Sequence, residues 1–339
     1  MRRSILAAAI SVHACLAMTG VAQASRADQI IERIENANRW RDHVMIVAHR
    51  GGWKENGEVR WAENSKAGVR HAIALGVEMV ELDVRTSKDG HYVVMHDTWL
   101  DRTTTCRGEV AARTLVELKS CHLVVEGSRD VTDEVVPTME EMLALARGSV
   151  VVNIDNKVGP QHIPAILALA RGMGMERSVI VKENIWSMER LAAIKDEVDA
   201  AGPGFRFMPI IADDAVEDAR FIETVAGNFS ANMIEMVAWR GDRRRLEADA
   251  GPLFRARVRA AAIRGNWHIW VNTYPIVNKP SGFLARGRGD ELAVQASVPD
   301  EVYGYWAEHG ATVIQTDEPK AAIEWLEQNG YRVPYDLTN

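Results

Sequence analysis

Cysteine is scarce: three residues in 339, at positions 15, 106 and 121. After a cleavage that removed Cys15, the remaining two could not supply the four ligands of a structural zinc site. No run of about 18 apolar residues follows residue 24, so no stable membrane span is expected there. Positive charge is also in deficit: 40 Lys and Arg stand against 47 Asp and Glu, for a net charge of −7. Phosphate neutralisation needs clustered bases, so nucleic acid is not an expected partner. The run Arg243-Arg244-Arg245 reads as a solvated loop or helix face. No internal repeat or low-complexity linker divides the chain after residue 24. The contents of 47% apolar and 26% charged residues exclude wholesale disorder. The length suits one large barrel or two ordinary domains, and an undivided chain favours one.

The first 24 residues differ from the rest. Arg2 and Arg3 precede the apolar run ILAAAISVHACLAMTGV, and Ala22-Gln23-Ala24 follows as a small-x-small cleavage site. This is the three-part plan of a secretory signal peptide, so the protein is expected to be exported, to a periplasm or beyond. Removing two arginines and no acid moves the net charge from −7 to −9. Cys106 and Cys121 then remain in an oxidising compartment, where a disulfide is expected and two separate buried thiols are the alternative. Closing a loop of about 15 residues stabilises a fold by about 3 kcal/mol in the chain-entropy model. Residues 25–43 read as an amphipathic leading helix, and 44–330 as a single domain.

Within that domain, short apolar runs alternate with helical patterns. The runs are MIVAH (45–49), VEMVELDV (77–84), HYVVMH (91–96), SVVVNID (149–155), SVIVKEN (178–184), FRFMPII (205–211), NMIEMVAW (232–239), HIWVNTY (268–274) and ATVIQTD (311–317). Near-continuous apolar strands between helices imply a parallel sheet covered on its outer face, and the length fits an α/β (β/α)₈ barrel. Nine candidates exceed the eight that a barrel needs, and NMIEMVAW or a flanking piece is the expected surplus. An insertion over the barrel mouth is expected at 97–148, after the third strand. Between VELDV and VVMH only RTSKDGHY intervenes, with an Asp89-Gly90 turn signal. A parallel crossover normally takes a dozen residues, so the chain either returns extended or pairs antiparallel there.

Glu81 and Asp83 are two apart in a strand and share one face, inside the run Met79–Val84. Two acids on a buried face are costly unless paired or bound to metal. Asp155 and Lys157 repeat the pattern, His49-Arg50-Gly51-Gly52 ends the first strand, and His96-Asp97 ends VVMHD. All fall at the C-terminal ends of strands, where barrels carry their chemistry. Two carboxylates about 4 Å apart repel by roughly 4 kcal/mol at an effective dielectric of 20. Three converging acids therefore call for one divalent cation unless a proton stays on one of them, and all-oxygen ligands select Ca²⁺, Mg²⁺ or Mn²⁺. Taken singly, His49 has a structural reading and the acid pair a salt-bridged one, to Arg85 or Lys157. The tryptophans Trp53, Trp61 and Trp99 are either packing residues or pocket walls.

The joint spacing resembles the glycerophosphodiester phosphodiesterase family. The matching pieces are AHRGG, ENS at 63–65, VELDVRTSKDGHYVVMHD at 80–97, LDRTT at 100–104, VVPTMEE at 135–141 and VNIDNK; a looser likeness runs on through FMPII, WVNT and VIQTDEP. The resemblance implies a (β/α)₈ barrel that hydrolyses glycerophosphodiesters to glycerol 3-phosphate and an alcohol. It implies His49 and His96 as the acid–base pair, with the order of roles open, and Glu81, Asp83 and Asp155 as ligands of Ca²⁺ or Mg²⁺. Arg50 and Lys157 would hold phosphate oxygens, and Glu63 would contact substrate or support the metal. In the family the attack is thought to come from the substrate's own glycerol hydroxyl. Two departures stand out: Asp155 where Glu is common, and Ala62 where Pro usually precedes Glu63, after the longer loop WKENGEVRW. A phospholipase D-type hydrolase of the same barrel class and a non-catalytic phosphoester-binding barrel are the rival readings. Headgroup preference and oligomeric state leave no trace in the sequence.

Overall fold

The computed structural model describes residues 24–240, 246, 248–276, 279, 280 and 282–335. The leader-like segment up to residue 23 and the Arg243–Arg245 run lie outside the described residues. Eight parallel strands close on themselves: β1 (Met45–Ala48), β2 (Met79–Thr86), β3 (Val151–Asn156), β4 (Val179–Asn184), β5 (Arg206–Ala212), β6 (Met233–Val237), β7 (His268–Asn272) and β8 (Val313–Thr316). Closure comes from β1, which pairs with β8 on one side (Met45 opposite Val313) and with β2 on the other (Val47 opposite Met79).

Outer helices follow the strands: α2 (Lys66–Leu75), α3 (Met139–Ala146), α4 (Ile163–Gly172), α5 (Met188–Ala200), α6 (Ala219–Phe229), α7 (Ala256–Gly265), α8 (Tyr303–Glu308) and α9 (Pro319–Gln328). They follow α1 (Arg26–Glu35) in chain order. The outward strand residues and the inner helix faces form the main core, as in Val80, Leu82 and Ile154 against Met142 and Leu143.

The leading helix α1 has a different job. Ser25 accepts from the Asp28 N–H while the Asp28 carboxylate takes the Ser25 N–H, a capping box that fixes where the helix begins. Ile30, Ile31 and Ile34 recur at helical spacing and pack on Met45, Val47, Met79, Val151, Ile180, Met208, Met233 and Trp270, the first inward residues of the strands. Each buried isoleucine contributes about 1.5–3 kcal/mol. The N-terminal end of the barrel is thereby plugged, and access is left to the C-terminal end.

The surplus strand is Tyr92–Val94, and NMIEMVAW is a barrel strand, β6; the sequence expectation assigned these the other way. After the Asp89-Gly90 turn, Tyr92–Val94 pairs antiparallel with the end of β2, Thr86 opposite Tyr92 and Val84 opposite Val94. The physical reason is the short connection, which permits a hairpin and no crossover. The chain then builds a small subdomain with its own core of Val93, Met95, Leu100, Val110, Leu118 and Leu123. It carries an antiparallel pair, His122–Val124 with Val131–Val135, and a disulfide between Cys106 and Cys121. Helix α3, which follows, belongs to the outer layer of the barrel.

Candidate active site

The turn after β1 sets the site. Arg50 takes a left-handed conformation (φ 49°, ψ 37°) and Gly51 and Gly52 follow at φ 80° and 84°. Glycine is required here by close approach: a Cβ on Gly51 would lie 2.9 Å from the Val69 side chain, and one on Gly52 3.2 Å from Ala48 and Ala72. The tight turn lets α2 dock against it. It aims the Arg50 N–H at Glu81 Oε2 (3.0 Å), the Arg50 guanidinium at Glu63 Oε2 (2.7 Å), and its Nε to 3.9 Å from Asp83. The ENS segment divides its work among three residues. Glu63 holds Arg50, the Asn64 amide donates to Asp83 Oδ2 (2.9 Å), and the Ser65 hydroxyl caps α2 through the Gly68 N–H.

Glu81 and Asp83 project from β2, and Asp155 stands opposite Asp83 on β3. One oxygen from each of the three acids lies within 4.8 Å of the others. Lys157 Nζ donates to Asp155 (2.7 Å) and stands 3.2 Å from Asp83, while Lys182 Nζ from β4 stands 3.8–3.9 Å from Asp155 and Glu81 and 3.2 Å from Glu235. Burial, with Asp83 beside it, pushes the Glu81 carboxyl up to about 8. Burial alone would raise Asp83 too, but Lys157, His96 and Arg50 together hold it well below the usual carboxylate range. Asp155 is likewise lowered, burial being outweighed by Lys182 and Lys157. The protein's own cations thus leave Glu81 wanting either a proton or a further positive charge. Three convergent carboxylates with that unmet charge fit a hard divalent ion.

On one flank stands His49. Its Nδ1 is 2.8 Å from Asp317 Oδ1 at the end of β8, and its ring stacks on Tyr274 at 3.6 Å. Asp317 also accepts from Trp53 Nε1 (2.7 Å) and Lys54 Nζ (3.0 Å). Burial drives His49 down to about 4, against the opposing pull of Asp317. On the other flank His96 Nδ1 lies 2.8 Å from Asp97. Arg102 clamps Asp97 through Nε (2.7 Å) and Nη2 (3.0 Å), bonds both Glu63 oxygens (2.7 and 2.9 Å), and reaches Glu126 (2.9 Å). A continuous chain therefore runs His96–Asp97–Arg102–Glu63–Arg50. Both histidines act electrostatically on Asp83, so they face the same group of acids.

All eight site residues expected from the sequence (His49, Arg50, Glu63, Glu81, Asp83, His96, Asp155 and Lys157) gather at this end of the barrel. Glu63 differs in manner: it is buried, and its oxygens are taken by Arg50 and Arg102. Sequence reasoning passed over Asp317, Arg102, Asn64, Lys182, Glu235 and Tyr274. Four of them had a signal: Asp317 ends the VIQTD strand, Arg102 and Asn64 sit inside LDRTT and ENS, and Lys182 is a charge within an apolar strand, the same anomaly as Glu81. A groove of about 650 Å³ along the ends of α6 and α7 lies at the opposite end of the barrel and holds none of these groups.

Residues 49–190 match the profile of the glycerophosphoryl diester phosphodiesterase family. Over those residues the chain is similar to that family. Residues 207–326 match a second profile, described as a domain of unknown function. A glycerophosphodiester phosphodiesterase of Caldanaerobacter subterraneus is 37% identical over 124 residues, 36% of this chain and 49% of that protein. One of Bacillus altitudinis is 38% identical over 128 residues, with the same shares of the two chains. The chain thus spans about half the length of the curated relatives it matches. A crystal structure of a glycerophosphoryl diester phosphodiesterase from Parabacteroides distasonis superposes with a TM-score of 0.63 over 92% of this chain and 94% of the other, at 21% identity. That likeness supports the barrel fold.

Proposed function

We propose that the protein hydrolyses glycerophosphodiesters to glycerol 3-phosphate and an alcohol, using a divalent cation of the Ca²⁺ or Mg²⁺ class held by Glu81, Asp83 and Asp155. The observation that carries the reading is the gathering of these three acids between two carboxylate-held histidines, beside Arg50 and Lys157. When bound, the cation would withdraw charge from the phosphoryl oxygens. Arg50 and Lys157 stand fixed beside the acids, where negative charge grows in the transition state, and lose little energy to reorganisation. With its Nδ1–H given to Asp317, His49 keeps a free Nε2 lone pair, and burial keeps the ring neutral, which suits a base taking the proton of the attacking hydroxyl. His96, turned by Asp97, then gives a proton to the leaving alcohol. General acid–base help supplies about 10²–10⁴ per group, so most of the rate must come from the charges that surround the phosphoryl group.

The test is a metal-by-substrate screen. Protein stripped with chelator is expected to lose turnover of glycerophosphocholine and to regain it with Ca²⁺ or Mg²⁺. Full activity in a sample verified as metal-free would overturn the mechanism, and faster turnover of lysophosphatidylcholine would move the reading to a phospholipase D-type hydrolase. Export belongs to the same reading and rests on the leader-like sequence before Ser25. It is tested by N-terminal sequencing of protein recovered outside the cytoplasm.

A further inference from the structure

Beneath the acid cluster the barrel interior holds a charge pair that the chemistry above does not use. Lys182 follows Ile180 by two residues on β4, and Glu235 follows Met233 by two on β6, so both face inward, one layer above the plug. Both are 3% exposed. Lys182 is in register with Asp155 on β3, which brings its ammonium to the acids. Its Nζ donates to Glu235 Oε2 (3.2 Å) and stands 3.9 Å from Glu81 and 3.8 Å from Asp155. Glu235 is fixed in turn: the Asn272 amide donates to its Oε1 (2.7 Å), and the Asn272 oxygen accepts from Trp270 Nε1 (2.8 Å).

Position and charge give the pair a purpose. Two-metal sites hold their ions about 3.5–4 Å apart between carboxylates. The inward acids Glu81, Asp83, Asp155 and Glu235 would be enough for two ions, but Lys182 already stands between Glu235 and the other strands' acids. Lys157 and Lys182 are the ammonium groups set against these four carboxylates, while Arg50 is hydrogen-bonded to Glu63. Two negative charges are left over, the complement of one divalent ion. Glu235 keeps the ammonium outside hydrogen-bond range of Glu81 and Asp155. From there it repels an incoming cation without taking its ligands.

We infer that Lys182 is a built-in counter-ion that occupies one side of the acid cluster, restricts it to a single divalent ion and lowers its affinity for that ion. Glu235 is the positioning residue that holds the ammonium back. The inference rests on the reading of a resident divalent cation and adds its number and the residue that limits how tightly it is held.

The test is Mn²⁺ binding to chelator-stripped protein without substrate, followed by calorimetry and electron paramagnetic resonance. Mn²⁺ is the spin-visible ion of the class that oxygen ligands select. The wild type should bind one Mn²⁺ per chain, with an uncoupled spectrum. Lys182→Met removes the ammonium and leaves Glu235 facing the cluster, so it should bind Mn²⁺ about ten-fold more tightly. Glu235→Gln loosens the hold on the ammonium and lets it approach Glu81 and Asp155, so it should bind about ten-fold more weakly. A merely structural role would weaken binding in both variants, so the opposite signs are diagnostic. A spin-coupled Mn²⁺ pair in the wild type overturns the inference while leaving the metal reading intact. So does equal or weaker binding by Lys182→Met in protein that circular dichroism shows to be folded. If that variant does not fold, the wild-type stoichiometry and Glu235→Gln decide, and unchanged or tighter binding by Glu235→Gln overturns the inference. Should the wild type bind no Mn²⁺, the reading of a resident cation fails and Lys182 is tested alone. Binding that then appears in Lys182→Met upholds the lysine as the counter-ion, and binding in neither protein overturns that as well.

Discussion

The two sides of the barrel mouth are built on opposite rules. Along β8, β1, β2 and β3 the inward residues nearest the opening are Asp317, His49, Asp83 and Asp155, each tied to at least one charged partner within about 4 Å. Along β4 and β5 the corresponding positions are Asn184 and Ala212, beside an apolar Ile210. Charged groups packed together can be moved only at a cost of several kcal/mol each, so the first side tolerates few sequences. The second side needs shape and a rim, which many sequences supply. The two profile matches cut across these sides: 49–190 takes in His49, Asp83 and Asp155 but also Asn184, while Asp317 falls within 207–326.

The sharpest way to break this contrast is to remove a charge-network histidine. His49→Ala should lower kcat by about 10²- to 10⁴-fold in protein that still folds, as circular dichroism at the assay temperature would check, though it should melt earlier because Asp317 loses a buried partner. A loss below about five-fold in steady-state assays with saturating metal would mean that the catalytic side has been misplaced.

Arg102 comes next. It touches no expected substrate group, yet it fixes both Asp97, which orients His96, and Glu63, which holds Arg50. Arg102→Gln should cost about 10- to 100-fold, the worth of one to two hydrogen bonds to charged groups. The loss should fall on kcat more than on KM, and Arg102→Lys should recover only part, because a point charge cannot replace the fork. An unchanged kcat with a raised KM would show that Arg102 holds substrate and does not position His96.

The pH profile tests the charged side through His49. Burial, opposed by Asp317, leaves His49 with a folded value of about 4, below its ordinary 6.5. The unfolded chain therefore takes up a proton from pH 6.5 downwards that the folded protein refuses until about pH 4. This contribution to stability is present above 6.5 and lost as pH falls through that window. The neutral base persists over the same window, so the acid limb of kcat/KM due to His49 should lie near pH 4. A limb at 6.5 that stays in place in Asp317→Asn would contradict the burial argument.

The sequence made one side of this comparison legible and left the other dim. Glu81, Asp83 and Asp155 could be read because charge within an apolar strand is anomalous and because alternation fixes which face it occupies. Asp317 and Arg102 sat inside recognisable motifs, but their roles escaped because these lie in partners 268 and 39 residues away, which the motifs do not name. The eight-strand barrel followed from alternation of strands and helices. The ninth strand was misassigned because an apolar run looks the same in parallel and antiparallel pairing, and only the length of RTSKDGHY distinguished them. Asn184, Ala212 and Trp186 carried no signal, for the recess they line between the loops after β4, β5 and β6 exists only once those loops are placed side by side.

The smallest expected effect tests how far the charged side extends into the inserted subdomain. Glu126 is the third acid on Arg102, at 2.9 Å, but its side chain is 32% exposed and Arg102 keeps Asp97 and Glu63 without it. A pair so placed contributes about 0.2–1 kcal/mol, so Glu126→Gln should lower kcat/KM by about five-fold at most. Solvent screening should shrink the difference between wild type and variant as salt rises from about 0.05 to 0.5 M. Measured at both salt concentrations, a small and salt-sensitive loss identifies the subdomain as a support that steadies Arg102 from outside. A loss above about ten-fold that ignores salt would instead make Glu126 an inner member of the network, and the charged side would then include the insertion as well as the barrel strands.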